Sequence, residues 1–385
     1  MKLNELPDGL LKSIFLSAVE DADDLHTHLN ASLVCKRLSQ VVRHAWYPSI
    51  DLRLTSLTGN LFVRTLTENP GIREVIINMA IERQWLNENV LSEKDTTTAV
   101  LRILSWCPNL CNVVLGGFPI DGEILNSSAL SFPSIQRLTL FDMLLTNAAF
   151  AAMGHFPNLE LLIMGSIGLM DESLVSCRPT PSQVKALKLD LCFPLKSAVS
   201  HSSHAFSTTF SNLRFLTIKS HDIADIGTII YPVFAPNLVT LHITITERFF
   251  STSTDKHQDN HLCPLLARRL TVSPIQHLKI DGSGAQVCSM IIPRSPHHLR
   301  HLEIGPVHSG EICDADPWTL RDELQNFGKK CDVLVEVMNH RVLLEKRGDS
   351  ILQSASDEAI DEWKLNKQGQ YGTTLFPDDS STSSL

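Results

Sequence analysis

At 385 residues the chain is long enough for two or three domains, or for one repeat array with appendages. A formal net charge of −9 and a pI near 6.0 argue against a polyanion-binding surface, so no nucleic-acid partner is expected. No apolar run reaches about 18 residues, which argues against a membrane span, and nine cysteines without metal-ligand spacing read as reduced thiols of the cytosol or nucleus.

The first stretch with a clear pattern is Leu6-Pro7-Asp8-Gly9-Leu10-Leu11-Lys12-Ser13-Ile14-Phe15. Glu5 and Asp8 interrupt it too early for a signal peptide. Pro7 stands where a helix begins, a position proline tolerates because its missing N–H is not needed there. Leu10, Leu11, Ile14 and Phe15 then form an apolar stripe, and Leu16 and Val19 widen it to roughly 240° of the helix circumference. A second helix, with Leu33, Val34, Leu38, Val41, Val42, Ala45 and Trp46, has an apolar arc of roughly 220°. A helix leaning only on its own domain needs a stripe little wider than about 100°. A segment of about 50 residues is also near the lower limit for burying such surface by itself. Part of this surface is therefore expected to meet another protein.

Two sequence blocks carry a family resemblance. An LP-x-x-L-L-x-x-I-F opening is matched by Leu6, Pro7, Leu10, Leu11, Ile14 and Phe15, and an S-L-V-C-K-R core by Ser32, Leu33, Val34, Cys35, Lys36 and Arg37. With Trp46 as the closing tryptophan, residues 3–48 resemble the F-box. Leu38 departs from it, standing where the family often has an aromatic, and the 20–24 linker is longer and more acidic than usual. The resemblance implies docking to the Skp-type adaptor, and through it a cullin, of a Skp–cullin–F-box ubiquitin ligase. Leu6, Pro7, Leu10, Leu11, Ile14, Phe15, Leu33 and Val34 match the family's apolar contact set, with Lys36 and Arg37 at its polar end. It further implies a chain that binds a substrate protein and carries no bond-making residue and no cofactor. Two other readings stay open, a scaffold that ubiquitinates nothing and a receptor gated by a small molecule.

After the F-box-like residues 1–48, Ile50 to Leu54 alternates and reads as a strand. A spacing then recurs: apolar, two residues, apolar, one residue, apolar. It runs through Ile72/Val75/Ile77, Leu110/Val113/Leu115, Ile135/Leu138/Leu140, Leu159/Leu162/Met164 and Val184/Leu187/Leu189. It continues through Leu213/Leu216/Ile218, Leu238/Leu241/Ile243, Ile275/Leu278/Ile280 and Leu299/Leu302/Ile304. Most steps are 24–29 residues, the period of leucine-rich repeats. Prolines such as Pro108, Pro157 and Pro236 stand just before the strands, where they end the preceding segment and favour extended geometry. Helices are predicted over Thr96–Ser105, His261–Leu270 and from Pro317 to Phe327. Units of this size cannot bury their own apolar faces and must stack. The expected fold class is α/β: a helical F-box followed, over 49–345, by an irregular leucine-rich-repeat solenoid with a curved parallel sheet. It is irregular because the asparagine or cysteine that normally follows the third apolar residue is present only as Cys192.

Val333 to Val337 reads as a last strand, 346–365 as an amphipathic capping helix (Ile351, Leu352, Ala355, Ala359, Ile360, Trp363), and the polar 366–385 as a disordered tail.

If the later apolar residues of each triplet face the core, their strand neighbours face the concave side. That face begins apolar (Ile76, Val114, Leu161, Ile163), with 79–95 as an insertion able to cover it, and ends polar. Candidate substrate-binding residues on it are Arg137, Phe141, Lys188, Lys219, His242, His277, Lys279 and His301. His277 and His301 are expected as solvated cross-strand neighbours about 5 Å apart, with no metal assigned to them. The chain has no G-x-S-x-G elbow, no G-x-x-x-x-G-K-[ST] loop and no H-E-x-x-H pair, so the sequence points to binding and not to catalysis.

Overall fold

The computed structural model describes residues 6–7, 9–11, 13, 47–54, 56–83, 93–117, 132–142, 144–145, 156–165, 168–169, 182–191, 210–220, 237–245, 274–282, 298–307, 331–337, 340–347, 350–354, 358, 360, 362 and 365. The chain divides into two compact units, Met1–Phe118 with Ala129–Leu138, and Pro119–Ser128 with Thr139–Leu385.

The first unit contains β1 (Ser49–Leu54), α1 (Ser56–Glu68), α2 (Pro70–Arg73), β2 (Asn78–Arg83), α3 (Glu93–Trp106) and β3 (Asn112–Gly116). β1, β2 and β3 lie side by side and parallel, with Leu52 opposite Ile81 and Ile81 opposite Leu115. Parallel neighbours need a crossover between them. Here α1 with α2, and then α3, provide it, and Leu66, Val100, Ile103 and Leu104 are buried along with Met79, Ile81, Val113 and Leu115. The predicted helix over Thr96–Ser105 lies within α3. The sequence reading contains no helix at α1, although Gly59, Phe62, Val63 and Leu66 recur at helical spacing and, with Thr65, are its least exposed described positions.

The structure corrects the first repeat. Ile72, Val75 and Ile77 are not its triplet: the strand starts at Asn78, and Ile76, Met79 and Ile81 are the buried set. Both triplets fit the spacing, and the cross-strand pairs Met79 with Val113 and Ile81 with Leu115 select the second. Ile76 therefore belongs to the core, Ile77 is exposed, and 79–83 is strand rather than covering insertion.

β4 (Arg137–Phe141) gives its first two residues to the first unit and the rest to the second. The second unit holds β5 (Leu144–Leu145), β6 (Leu161–Gly165), β7 (Gly168–Leu169), β8 (Ala186–Leu191), β9 (Phe215–Ser220), β10 (Thr240–Ile245), β11 (His277–Gly282), β12 (His301–Val307), β13 (Asp332–Val337), β14 (His340–Arg347) and β15 (Ser350–Ser354). β5 and β7 form a separate small parallel pair. From β6 through β8 to β13 the strands are parallel neighbours in chain order, the sheet of a solenoid. One register is kept throughout: Leu162, Leu187, Leu216, Leu241, Leu278 and Leu302 fall opposite one another, as do Met164, Leu189, Ile218, Ile243, Ile280 and Ile304. All twelve are buried. The register against β13 shifts between Ile304 and Val307. Pro306 lies in that interval and has no N–H to donate to a ladder.

A backbone device repeats with the units. At eight of the strands the carbonyl just before the strand accepts two N–H groups from the start of the next. Pro48, Ile77 and Cys111 do so in the first unit, and Glu160, Lys185, Arg214, Val239 and Gln276 in the second, at 2.8–3.1 Å. Both lone pairs of the oxygen are thereby used. The asparagine before the first apolar residue adds a second tie. Asn109 donates through Nδ2 to the Glu74 carbonyl at 2.7 Å, Asn212 to Ser182 at 2.9 Å and Asn237 to Ser211 at 3.3 Å. These asparagines stand at the start of the strand instead of the expected place after it.

The expected capping helix is also corrected. Lys346 and Arg347 end β14, and Ser350–Ser354 is a strand, with β13, β14 and β15 forming an antiparallel meander. Arg347 pairs with Ser350 across a two-residue Gly348-Asp349 connection, a combination suited to a tight hairpin. The helical positions described come after it, at Glu358, Ile360, Glu362 and Leu365, and Ile360 is buried. The predicted helices over 261–270 and 317–327 and the tail 366–385 lie outside the described residues.

Candidate binding face and the N-terminal turn

On the parallel strands of the second unit, side chains opposite the core lie in three rows, because the register is constant and orientation alternates. The middle row carries Ile163, Lys188, Thr217, His242, Lys279 and Glu303, and the next carries Gly165, Asp190, Lys219, Thr244, Asp281. These are half-buried, as is Phe141. The first row is covered: Leu161, Ala186, Thr240, His277 and His301 are buried, and Phe215 is half-buried.

His277 and His301 are cross-strand neighbours with ring centroids 6.3 Å apart, edge to face, but the expectation that water surrounds them is wrong. Each is enclosed beside a carboxylate of the next strand. His277 Nε2 donates to Glu303 Oε1 at 2.8 Å, and His301 Nδ1 lies 3.2 Å from Asp332 Oδ2. The His277 Nε2 hydrogen bond offsets part of the cost of burying that ring, and enclosure removes both rings from the accessible face. Leu161 leaves it for the same reason of burial. Among the described residues, no group of three or more histidine, cysteine or acidic side chains is placed to hold a metal ion.

Lys188, Lys219, His242 and Lys279, by contrast, come together. They stand on β8, β9, β10 and β11, one per strand. Lys219 Nζ donates to Asp190 Oδ2 at 2.9 Å, His242 Nε2 to Asp281 Oδ2 at 2.6 Å, and Lys279 Nζ lies 3.5 Å from the same Oδ2. Asp281 fills the space over Gly305, where an added Cβ would stand 2.7 Å from its Cγ. Burial pushes the Asp281 carboxyl up, but the His242 hydrogen bond and the Lys279 charge together outweigh it and hold the group below its ordinary value.

In the first unit, Arg137 is exposed, and the row opposite the core includes an amide ladder. Asn112 Nδ2 donates to Asn78 Oδ1, which lies 2.5 Å away, and Asn78 Nδ2 to Ser49 Oγ at 2.9 Å.

At the N-terminus of this unit a helical turn starts where Pro7 predicts it. Leu11 N–H donates to the Pro7 carbonyl at 3.0 Å, and Ser13 Oγ to the Gly9 carbonyl at 3.0 Å. Leu11 is fully buried, whereas Leu10 beside it is 54% exposed. Leu6 is half-buried and Pro7 exposed. Ile14, Phe15, Leu33, Val34, Lys36 and Arg37 lie outside the described residues. No protein-family model matches the chain, and no curated protein is similar to it at a significant level.

Proposed function

We propose that this chain is the substrate-recognition subunit of a Skp–cullin–F-box E3 ubiquitin ligase. Its first 48 residues would dock to the adaptor, and its parallel-strand array would hold the substrate protein. The observation that carries this reading is the pair of F-box-like blocks in the right order, Leu6 to Phe15 and Ser32 to Arg37. Support comes from Leu10, a large apolar side chain left exposed next to a fully buried neighbour. The chain acts by proximity. Holding a substrate beside a ubiquitin-loaded enzyme turns a bimolecular encounter into an effectively local one. The chain itself makes no bond, and its place of action is the cytosol or nucleus.

Burying each large apolar side chain at the adaptor interface contributes about 1.5–3 kcal/mol. Replacing both Leu10→Asp and Ile14→Asp removes two such contributions and sets charges in their place. Co-purification of the adaptor with the doubly substituted chain is expected to disappear, with the far-ultraviolet circular dichroism of the chain retained. Undiminished co-purification refutes the docking face.

A further inference from the structure

β1 is the outermost strand of its sheet: β2 pairs with one side of it, and among the described residues no strand pairs with the other. The Pro48 carbonyl accepts from the N–H groups of Ile77 and Asn78, so it points towards β2. In a parallel ladder the N–H and C=O of one residue point the same way and those of its neighbours the opposite way. Ile50 and Leu52 therefore also bond towards β2, whereas Ser49, Asp51 and Arg53 turn their backbone groups outward. The Arg53 carbonyl agrees with this, accepting from Thr58 Oγ1 at 2.7 Å. The side chains of Ser49, Asp51 and Arg53 are exposed, while Ile50 is half-buried and Leu52 buried opposite the core residues Met79 and Ile81. Charged side chains ordinarily blunt such an edge. Here the two charges have opposite sign and stand two residues apart, which makes the strand complementary to itself.

We infer that β1 is a dimerisation edge, pairing antiparallel with β1 of a second copy of this chain about a two-fold axis at Leu52. Outward-turned residues must meet outward-turned residues for the ladder to form. Registers centred on Asp51 or on Arg53 set like charges face to face, and one centred on Ile50 leaves Arg53 beyond the paired stretch. The register centred on Leu52 sets Asp51 opposite Arg53 of the second copy, and Arg53 opposite its Asp51. On the core side it sets Leu52 beside Leu52 and Ile50 beside Leu54, apolar against apolar. About four N–H···O=C bonds join the strands, and the Arg53 oxygen has a second lone pair beyond the one Thr58 uses. On β2, Glu82 stands opposite Arg53 and Ala80 opposite Asp51. The order across the junction is thus Glu82, Arg53, Asp51, Ala80, and no two like charges are adjacent. Arg83 stands opposite Leu54 and belongs to the other face. A closed two-fold pair occupies both β1 edges at once and leaves neither open to further addition. The inference is independent of the receptor reading.

Sedimentation equilibrium of the full-length chain, at loading concentrations up to its solubility limit, reads the association. The wild type is expected to show a monomer–dimer equilibrium with no higher species. Asp51→Arg alone and Arg53→Asp alone each set like charges opposite one another across the axis, and each is expected to weaken the dimer at least tenfold. Mixing the two variants, or placing both substitutions in one chain, restores opposite pairs. Either is expected to return the dissociation constant to within about threefold of wild type. Loss through misfolding would not recover on mixing, and both positions are exposed. Lys185→Glu, at an exposed pair with Glu160 away from β1, is expected to change little. A wild type that stays monomeric at every concentration, with the edge then left to a different chain, would overturn the inference. Single variants that dimerise as the wild type does would overturn it too, as would a mixture and a double variant that both fail to recover.

Discussion

Asp281 concentrates the chemistry of the β8–β11 face in one side chain. It accepts from His242 at 2.6 Å, sits 3.5 Å from Lys279, and owes its space to the missing side chain of Gly305. Its carboxyl is lowered from the ordinary 3.8 although burial alone would raise it. A depressed folded-state value means that ionised Asp281 stabilises the fold above the unfolded value, and that this contribution is lost as pH falls through the folded value. Asp281→Asn keeps the shape without the charge. Its melting temperature should lie below wild type by a constant gap above about pH 5, and the gap should close as pH falls below about 3.8. A gap that is the same at every pH would show that the charge contributes nothing. Cys107 shows the opposite balance: burial, against a smaller opposing effect of the Arg73 charge, pushes its thiol up to about 11. At neutral pH it is a protonated core side chain and no nucleophile. Arg73 itself is held over the Trp106 ring at 4.7 Å and donates to the Leu66 carbonyl at 2.7 Å.

At the scale of the strand, stability comes from leucines stacked in constant register. Leu187, Leu216 and Leu241 are buried at the same position of β8, β9 and β10, each against the one before and the one after. Truncating any one of them to alanine removes methyl groups from both neighbours' contacts and leaves a cavity. Each is expected to cost about 2–5 kcal/mol by urea unfolding. Thr217→Ala, opposite the core on β9, should stay within about 0.5 kcal/mol. Equal losses for Leu216→Ala and Thr217→Ala would contradict the assignment of faces. The strand-start asparagines add to this order. Asn109, Asn212 and Asn237 each tie one unit to the backbone of the preceding one, a role signalled in the sequence by recurrence of Asn directly before the first apolar residue of a triplet.

For the whole molecule, the receptor proposal makes a prediction about partners in the cell. Proteins captured by this chain should accumulate when the cullin ligase is inhibited, as measured by quantitative mass spectrometry of the captured fraction. Unchanged abundance of every captured protein would favour a scaffold that holds the adaptor without ubiquitinating its partners. The strand array suits either role because it places side chains from residues far apart in sequence side by side. Lys188 and Lys279 are an example, brought within three strands of each other by the crossovers between β8 and β11.

The spacing of apolar residues by itself determined where β3, β4, β6 and β8 to β12 would fall and which apolar residues of those strands would form the core. From Leu110 to Ile304, the described members of the triplets are core residues, because a strand with one buried face shows its period directly. Pro7 likewise marked the start of the N-terminal turn. Tertiary pairing decided the rest. Ile72/Val75/Ile77 and Ile76/Met79/Ile81 satisfy the same spacing, and only the partners Val113 and Leu115 distinguish them. Residues 350–354 have a helical stripe but pair with β14, since a strand there meets the backbone groups on the edge of β14 that a helix would leave without a ladder partner. Whether a histidine on a strand faces water or a neighbour's carboxylate is also invisible locally. His277 and His301 are enclosed because Glu303 and Asp332, 26 and 31 residues further on, arrive on the adjacent strands.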